Sequence, residues 1–104
     1  MGLEGLGRFA DPAVLILSSL AGGDRHGYAL VKDIDEFAGV RLGPGTLYGA
    51  LSRLEERGLV EALAAEERRR PYRLTPRGAA ALRAYLLHAR TVASVGLVRL
   101  AAGT

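Results

Sequence analysis

Arginine is the residue that gives this 104-residue chain most of its binding chemistry. Of its 14 basic residues 13 are arginine and one is Lys32, and Arg68, Arg69 and Arg70 are consecutive. A guanidinium group forms bidentate contacts with phosphate and with base edges, so this cluster predicts an anion-binding surface. Solvated surface arginines and the codon bias of a GC-rich genome are the alternative explanations.

The charges are unevenly divided along the chain. Residues 1–67 hold 6 basic and 11 acidic side chains, a net charge of −5, whereas residues 68–104 hold 8 arginines and no acid, a net charge of +8. The formal net charge of +3 conceals this division. We therefore expect the C-terminal third to attract a polyanion.

Residues suited to catalysis or metal binding are few and isolated. The absence of cysteine excludes thiolate nucleophiles, disulfides and sulfur-ligated zinc. His26 and His88 each lack a second imidazole at ligand spacing, and His26 is expected to cap a helix. No glycine-rich phosphate loop followed by Lys and Ser or Thr is present. The sequence thus predicts a protein that is not an enzyme and has no cofactor or metal.

Four helices are predicted to position the polar residues. Asp11-Pro12 begins a helix over about 12–20, because an acidic cap before a first-turn proline favours a helix start. Apolar spacing predicts a helix over about 27–38 and, after a break at Gly43-Pro44-Gly45, a third helix that ends at Arg57-Gly58. Tyr28 and Phe37 are expected in the core. Thr75-Pro76 begins a last helix that continues to about Ala101.

A β-hairpin is predicted between the third and fourth helices, with strands over about 59–63 and 70–74. Because proline has no N–H to donate, Pro71 predicts that the second strand is an edge strand at that point. Ala64-Ala65 is poor turn chemistry and predicts a long, mobile tip over 64–69.

This order of elements is that of a winged helix-turn-helix, a mainly α fold with a small β-hairpin. Its third helix enters the DNA major groove and its hairpin, the wing, reaches the neighbouring backbone. The predicted DNA contacts are Pro44, Gly45, Thr46, Tyr48, Gly49, Ser52, Arg53, Arg68, Arg69, Arg70 and Tyr72. The sequence leaves other roles open: capping for Gly45 and Thr46, packing for Gly49, Tyr48 and Tyr72, and pairing with Glu55 or Glu56 for Arg53.

The last helix carries an apolar seam with steps of three and four residues. Such a helix extends beyond a body of about 75 residues, and pairing with the same helix of a second subunit explains its seam. Folding back onto its own core is the alternative. The predicted domains are therefore a DNA-binding domain over 1–78 and a dimerisation helix over 79–104. The predicted dimer contacts are Leu82, Tyr85, Leu86, Ala89, Val92, Ala93 and Leu97.

Three stretches carry a resemblance to a known family: HGYALVKDIDEF at 26–37, VRLGPGTLYGALSRLEERGLVE at 40–61 and RRRPYRLTPRG at 68–78. With its G-P-G-T-L-Y-x-x-L-x-R-L-E motif, the chain resembles the PadR family of transcriptional regulators over about residues 12–90, in the branch with a short C-terminal helix. The resemblance implies a homodimeric repressor bound to a palindromic operator in double-stranded DNA. It also implies release by a small hydrophobic or aromatic effector.

A winged-helix module that binds another protein without binding DNA is the alternative function. A membrane-surface role for the last helix is a further alternative, which its narrow polar face disfavours. No run of 18 apolar residues is present, and MGLEGLGRFAD has an acid where a signal peptide has basic residues. We expect a cytoplasmic protein with no membrane partner.

Overall fold

The computed structural model describes residues 11–103. Its elements are α1 Pro12–Leu20, β1 Arg25–His26, α2 Gly27–Ala38, α3 Pro44–Glu56, β2 Val60–Ala62, β3 Pro71–Leu74 and α4 Pro76–Gly103. The four predicted helices and both predicted strands are confirmed to within about two residues at each end. Residues 1–10, which belong to the predicted first domain and to the signal-peptide argument, lie outside the described residues, as does Thr104.

α1 forms the centre of the core. The Asp11 carboxylate caps it by accepting from the backbone N–H of Ala13 at 2.9 Å, with Pro12 in the first turn. Ile16 and Leu17 are fully buried, and α2, α3 and α4 all contact this helix. The other fully or nearly fully buried apolar residues include Val14, Leu20, Leu30, Ile34, Leu47, Leu51, Leu54 and Val60.

A polar network joins the end of α1 to α2. The buried Ser19 hydroxyl donates to the Asp33 carboxylate at 2.6 Å. Arg25 donates to the Ser19 carbonyl at 3.1 Å, and its Nε lies 3.8 Å from the same Asp33 oxygen. Because a buried polar group is costly unless it is hydrogen-bonded, these contacts fix β1 between the two helices.

β3 is the central strand of a three-stranded sheet, so the expectation of an edge strand at Pro71 is wrong. The strand order is β1-β3-β2, with both pairings antiparallel. His26 of β1 pairs with Pro71 on one side, and on the other the Pro71 carbonyl accepts from the backbone N–H of Leu63 at 2.9 Å. Proline is tolerated because it is the first residue of the strand, where its missing donor affects only the last pair.

The hairpin ends in a tight turn, which corrects the long tip expected over 64–69. Glu66 and Arg69 exchange backbone hydrogen bonds of 2.6 and 2.8 Å. Glu67 and Arg68 between them have φ values of 48° and 71°. Positive φ at both central residues is typical of the two-residue type I′ turn, whose twist matches that of the flanking strands.

A β-bulge separates this turn from the regular part of the hairpin. The register pairs Ala62 with Tyr72, so Leu63 stands opposite Pro71. From there to the bridge at the turn, Ala64 and Ala65 lie opposite the single residue Arg70. Two residues facing one is the arrangement of a bulge, which bends and twists the strand that carries it.

The start of α4 is fixed to the start of β2. The Thr75 hydroxyl accepts from the backbone N–H of Gly78 at 2.9 Å and donates to the carbonyl of Gly58 at 2.7 Å. Gly78 lies directly against the carbonyl of Leu59, and a Cβ atom at this position would collide with that group. Glycine is therefore required here by the contact between the two backbones.

α4 leaves the body of the protein halfway along its length. Its first turns pack on the core, whereas every residue of 91–103 is exposed, and the longest dimension of the molecule is 55 Å. The distal half therefore does not fold back onto its own core, which was one of the two arrangements considered. Among the described residues, no helix combines the length and hydropathy needed to cross a bilayer.

Two aromatic residues assigned to the core lie at the surface instead. Tyr28 is 70% exposed and Phe37 is 52% exposed. Both are on α2, where only Gly27, Leu30 and Ile34 are buried. The buried face of α2 is thus narrower than the number of apolar residues in its sequence predicts.

Candidate nucleic-acid interface

α3 presents its first two turns to solvent. Gly43 is the N-cap residue, without a side-chain cap bond, and Pro44 occupies the first turn. Thr46 and Gly45 are thus not capping residues, and both are exposed. The buried face of α3 consists of Leu47, Ala50, Leu51 and Leu54, which leaves the polar side of the helix free.

Packing against the described residues does not require glycine at positions 45 and 49. A Cβ atom at Gly45 would meet nothing within 4 Å, and one at Gly49 would meet only the Arg53 side chain at 3.7 Å. Neither residue has positive φ. Since glycine in a helix costs up to about 1 kcal/mol relative to alanine, a closely approaching external molecule accounts for these residues better than the fold does.

Tyr48 connects α3 to the start of α2. Its hydroxyl lies against Gly27, where any side chain would collide with the ring. The side chain is nevertheless 51% exposed. Tyr48 can therefore both pack on α2 and contact DNA, because one edge of the ring lies on α2 and the other faces solvent.

Tyr72 lies where α3 meets the hairpin. Its ring is half-buried and packs against the core. Burial raises the pKa of its hydroxyl above the ordinary 10.0, Glu55 and Tyr48 add to the increase, and Arg70 opposes it. The hydroxyl is thus a neutral donor at physiological pH.

Arg53 and Ser52 are exposed on the next turn of α3. The Arg53 guanidinium forms no ion pair within residues 11–103, so the pairing with Glu55 or Glu56 that the sequence allowed is not formed. Its Nη1 lies beside Gly49 instead. Among the described residues, Arg53 therefore has no ion pair to break before it contacts an external anion.

The three wing arginines have different surroundings. Arg68, in the turn, forms no side-chain hydrogen bond or ion pair with any described residue. Arg69 places its Nη1 3.3 Å from Nε2 of His26. Arg70 donates from Nη1 to the carbonyl of Leu63 at 2.9 Å.

The Arg70 contact replaces a backbone hydrogen bond that proline cannot make. In an antiparallel hydrogen-bonded pair, each residue donates its N–H to the other's carbonyl. Leu63 donates to Pro71, but Pro71 has no N–H to return. The Arg70 guanidinium supplies that donor and leaves four other N–H groups on the same side chain.

His26 and Gly27 bring the wing and α3 to one face of the molecule. Arg69 of the wing lies beside His26, and Tyr48 of α3 lies against the next residue, Gly27. The polar first turns of α3 and the arginine-rich turn therefore surround the junction of β1 and α2. Proximity of the start of α3 to the wing arginines is what the DNA-binding prediction requires, and the contacts with DNA themselves stay a prediction.

Sequence reasoning missed three residues at this face: His26, Tyr28 and Lys32. A groove of about 620 Å³ between α2 and the start of α3 is lined in part by Tyr28, Lys32 and Pro44. Tyr28 and Lys32 are four residues apart and so lie on one side of α2. That spacing was the available signal, but Tyr28 was expected in the core.

Ion pairs occupy several acidic residues away from the wing turn. Asp35 pairs with Arg41 at 3.2 Å, and Arg73 lies 3.4 Å from Asp24 and 3.5 Å from Glu61. Glu66 and Glu67 form no ion pair with the adjacent arginines in the described part of the chain. No group of three metal-ligating side chains occurs there either. Residues 66–70 therefore carry three arginines and two glutamates that form no ion pairs with one another, a net charge of +1.

The residues predicted for dimer contact fall into two groups. Leu82 is only 5% exposed and belongs to the core of its own chain, with Tyr85 and Leu86 packed beside it. Val92 and Leu97 are 57% and 68% exposed. Ala89 is half-buried and Ala93 is exposed, so the seam continues from the core onto the projecting half of α4.

Residues 16–84 match the family model of the transcriptional regulator PadR-like family. An uncharacterized 37.1 kDa protein of transposon TN4556 from Streptomyces fradiae is 51% identical over 71 residues, covering 68% of this chain and 21% of that protein. The transcriptional regulator Rv3488 of Mycobacterium tuberculosis is 44% identical over 73 residues, covering 64% of each. The chain thus spans less than two thirds of either relative.

The fold is likewise similar to solved structures. A crystal structure of a PadR family transcription regulator from Clostridium difficile has a TM-score of 0.77 and 30% sequence identity. The match covers 86% of this chain and 97% of that one.

Proposed function

The chain belongs to the transcriptional regulator PadR-like family, and from this premise we propose that it is a DNA-binding repressor that acts as a homodimer on a palindromic operator. The first turns of α3 enter the major groove, with Gly45, Thr46 and Gly49 closest to the bases. The wing turn reaches the adjacent backbone through its arginines. The protein acts on DNA in the cytoplasm.

The observation that carries this proposal is the shared face around His26 and Gly27. It combines a polar helix start, two glycines with no packing role, and arginines without acidic partners. Phosphate contacts from Arg68 and Arg69 would fix the orientation, while α3 reads base edges. Arg70 and Tyr72 contribute a guanidinium and a neutral hydroxyl at the base of the same wing.

The projecting half of α4 supports the homodimer. Its residues 91–103 include four large apolar side chains that are at least half-exposed, namely Val92, Leu97, Val98 and Leu100. A second copy of the helix offers the same seam, so an isologous pair covers both. The proposed contacts run from Tyr85, Leu86 and Ala89 to Val92, Ala93 and Leu97. Leu82 serves the core beneath them.

A small hydrophobic or aromatic effector fits the groove between α1, the end of α2 and α4. The groove measures about 350 Å³ and is lined by Val14, Leu15, Ser18, Phe37, Ala38, Val40 and Leu86. This volume lies within the usual range for ligand sites. Because Leu86 belongs to the proposed dimer seam, a molecule bound here changes the surface on which the two helices meet.

Gel-shift titration with the DNA upstream of the protein's own gene tests the function. We expect affinity to fall steeply with salt, and R68Q and R69Q each to reduce the log–log slope by about 0.9. R99Q, at the far end of α4, removes the same charge and leaves the slope unchanged. No shift at low salt with any fragment would reject DNA binding and favour a protein-interaction module.

The homodimer and the sign of regulation need separate measurements. Sedimentation should give a dimer for the native chain and a monomer for V92E/L97E, whose folded body keeps its circular dichroism. A promoter fused to a reporter should be less active when the protein is present and recover with an apolar effector. A native monomer, or a reporter that is activated, contradicts the corresponding part of the proposal.

A further inference from the structure

The His26 imidazole and the Arg69 guanidinium converge beside the start of α2. Nη1 of Arg69 lies 3.3 Å from Nε2 of His26. His26 also caps α2, with its Nδ1 accepting from the backbone N–H of Ala29 at 3.4 Å. The imidazole is thus positioned by the helix through one ring nitrogen and faces the wing with the other.

The cap determines which ring nitrogen carries the proton. A neutral imidazole has one N–H and one acceptor nitrogen. Since Nδ1 accepts from Ala29, the proton of the neutral ring is on Nε2. A guanidinium has no acceptor, so His26 and Arg69 direct N–H groups toward each other without forming a hydrogen bond between them.

Within residues 11–103, no carboxylate accepts a hydrogen bond from either of these two groups. Asp24, two residues before His26, lies 3.4 Å from Arg73. Glu66 and Glu67 form no ion pair with Arg69 in the part of the chain that the structure describes. His26 is half-buried and Arg69 is exposed, so an oxyanion has access to both donors from solvent.

We propose that His26 Nε2–H and the Arg69 guanidinium form a clamp for one phosphate of the DNA backbone. This inference rests on the proposed function. One phosphate oxygen, or two oxygens of the same phosphate, accepts from both groups and resolves the donor–donor contact. Because Gly27 contacts Tyr48 of α3, the clamp fixes the wing relative to the recognition helix. His26 is therefore a DNA ligand as well as a helix cap.

The first test measures the tautomer in the full-length protein without DNA. Ring ¹⁵N shifts of His26 at alkaline pH should show a protonated Nε2 and an unprotonated Nδ1. A protonated Nδ1 would mean that Nε2 accepts from Arg69, and would overturn the clamp.

The second test replaces individual operator phosphates with neutral methylphosphonates. At the clamped phosphate we expect the native protein to lose affinity about tenfold, the effect of one charge-assisted hydrogen bond. His26→Ser keeps a good helix cap but is too short to reach the phosphate. H26S and R69Q should each bind unmodified DNA more weakly and lose the methylphosphonate effect at this same position.

R68Q is the matched control, because it removes an adjacent wing charge while leaving both clamp donors in place. It should retain the effect at the clamped phosphate. If H26S and R69Q lose their effects at different phosphates, or H26S behaves as native, the clamp is wrong while operator binding stands. If the native protein shifts no DNA fragment, the proposed function and the clamp fail together.

Discussion

Two helices of this protein begin alike and differ in what their glycines contact. α3 starts Pro44-Gly45 and α4 starts Pro76-Arg77-Gly78, each with a proline in the first turn. Gly78 lies against the backbone of Leu59, whereas Gly45 has no neighbour that a Cβ atom would meet within 4 Å. One glycine is thus explained by the fold, and the other is not.

Glycine is therefore required for different reasons at the two helix starts, by the fold at α4 and by the proposed function at α3. At α4 the demand comes from within the chain, since two segments of backbone touch. At α3 the chain gains nothing from glycine and loses helix stability. Substitution by alanine should therefore have opposite effects on stability at the two helix starts.

The largest effect is expected for Gly78→Ala. The new methyl group would collide with the Leu59 carbonyl and displace the first turn of α4, with a loss of about 3 kcal/mol or more in the free energy of unfolding. Urea denaturation measures it. Gly96→Ala, in the same helix with no neighbour within 4 Å, is the matched control and should not destabilise. Equal stability of G78A and the native chain would contradict the backbone contact.

Gly45→Ala and Gly49→Ala should move stability and binding in opposite directions. The free energy of unfolding should rise by up to about 1 kcal/mol for each change. Operator affinity should fall about tenfold or more as the methyl group blocks close approach. The rise in melting temperature is an internal control against misfolding. Unchanged affinity would remove the functional explanation for these glycines.

The contact between Arg70 and the Leu63 carbonyl tests a second residue type that lacks a group. Glycine lacks a side chain, and Pro71 lacks the backbone N–H that would donate to this carbonyl. Arg70→Met should cost about 1 kcal/mol of stability by leaving the Leu63 carbonyl without a partner. In the P71V background a backbone N–H replaces the guanidinium, so R70M should then cost much less. Denaturation of the two single variants and the double variant forms the test. Additive losses would show that Arg70 does not replace the proline donor.

The smallest effect concerns Tyr72, at the boundary between α3 and the wing. Because its pKa is raised in the folded state, its contribution to stability is complete below pH 10 and is lost as pH rises through the raised value. Stability should therefore fall above about pH 10. Tyr72→Phe should reduce that fall, and Tyr28→Phe, at an exposed ring, should not. Identical pH profiles for the three proteins would contradict this assignment.

The helices were predictable because their signals are local. Asp11-Pro12 and Thr75-Pro76 mark starts through capping and proline geometry, and apolar spacing within α2 and α3 defines their buried faces. The polar face of α3 followed from the same reasoning, whereas its contacts with DNA stay a prediction that rests on the element order and the family resemblance. The fold class was predictable for this reason, and the family resemblance was confirmed because its motifs are contiguous stretches of sequence.

The sheet was less predictable because its order depends on distant residues. β1 has only two residues, too few to show alternation, and it pairs with a strand more than forty positions away. Without β1, Pro71 indicated an edge strand. The role of Arg70 follows from the register, and the orientation of His26 follows from a cap and a turn that meet only in three dimensions.

α4 is one unbroken helix from the base of the wing to Gly103. A small change in its tilt at the body therefore produces a larger displacement at its far end. Its projecting residues 91–103 span about 20 Å at 1.5 Å per residue. A tilt of about 10° at the body moves the far end by about 3.4 Å, which equals the spacing between successive base pairs along one strand. In the proposed dimer joined through α4, a small rotation near Leu86 therefore changes how the two bodies are oriented relative to each other.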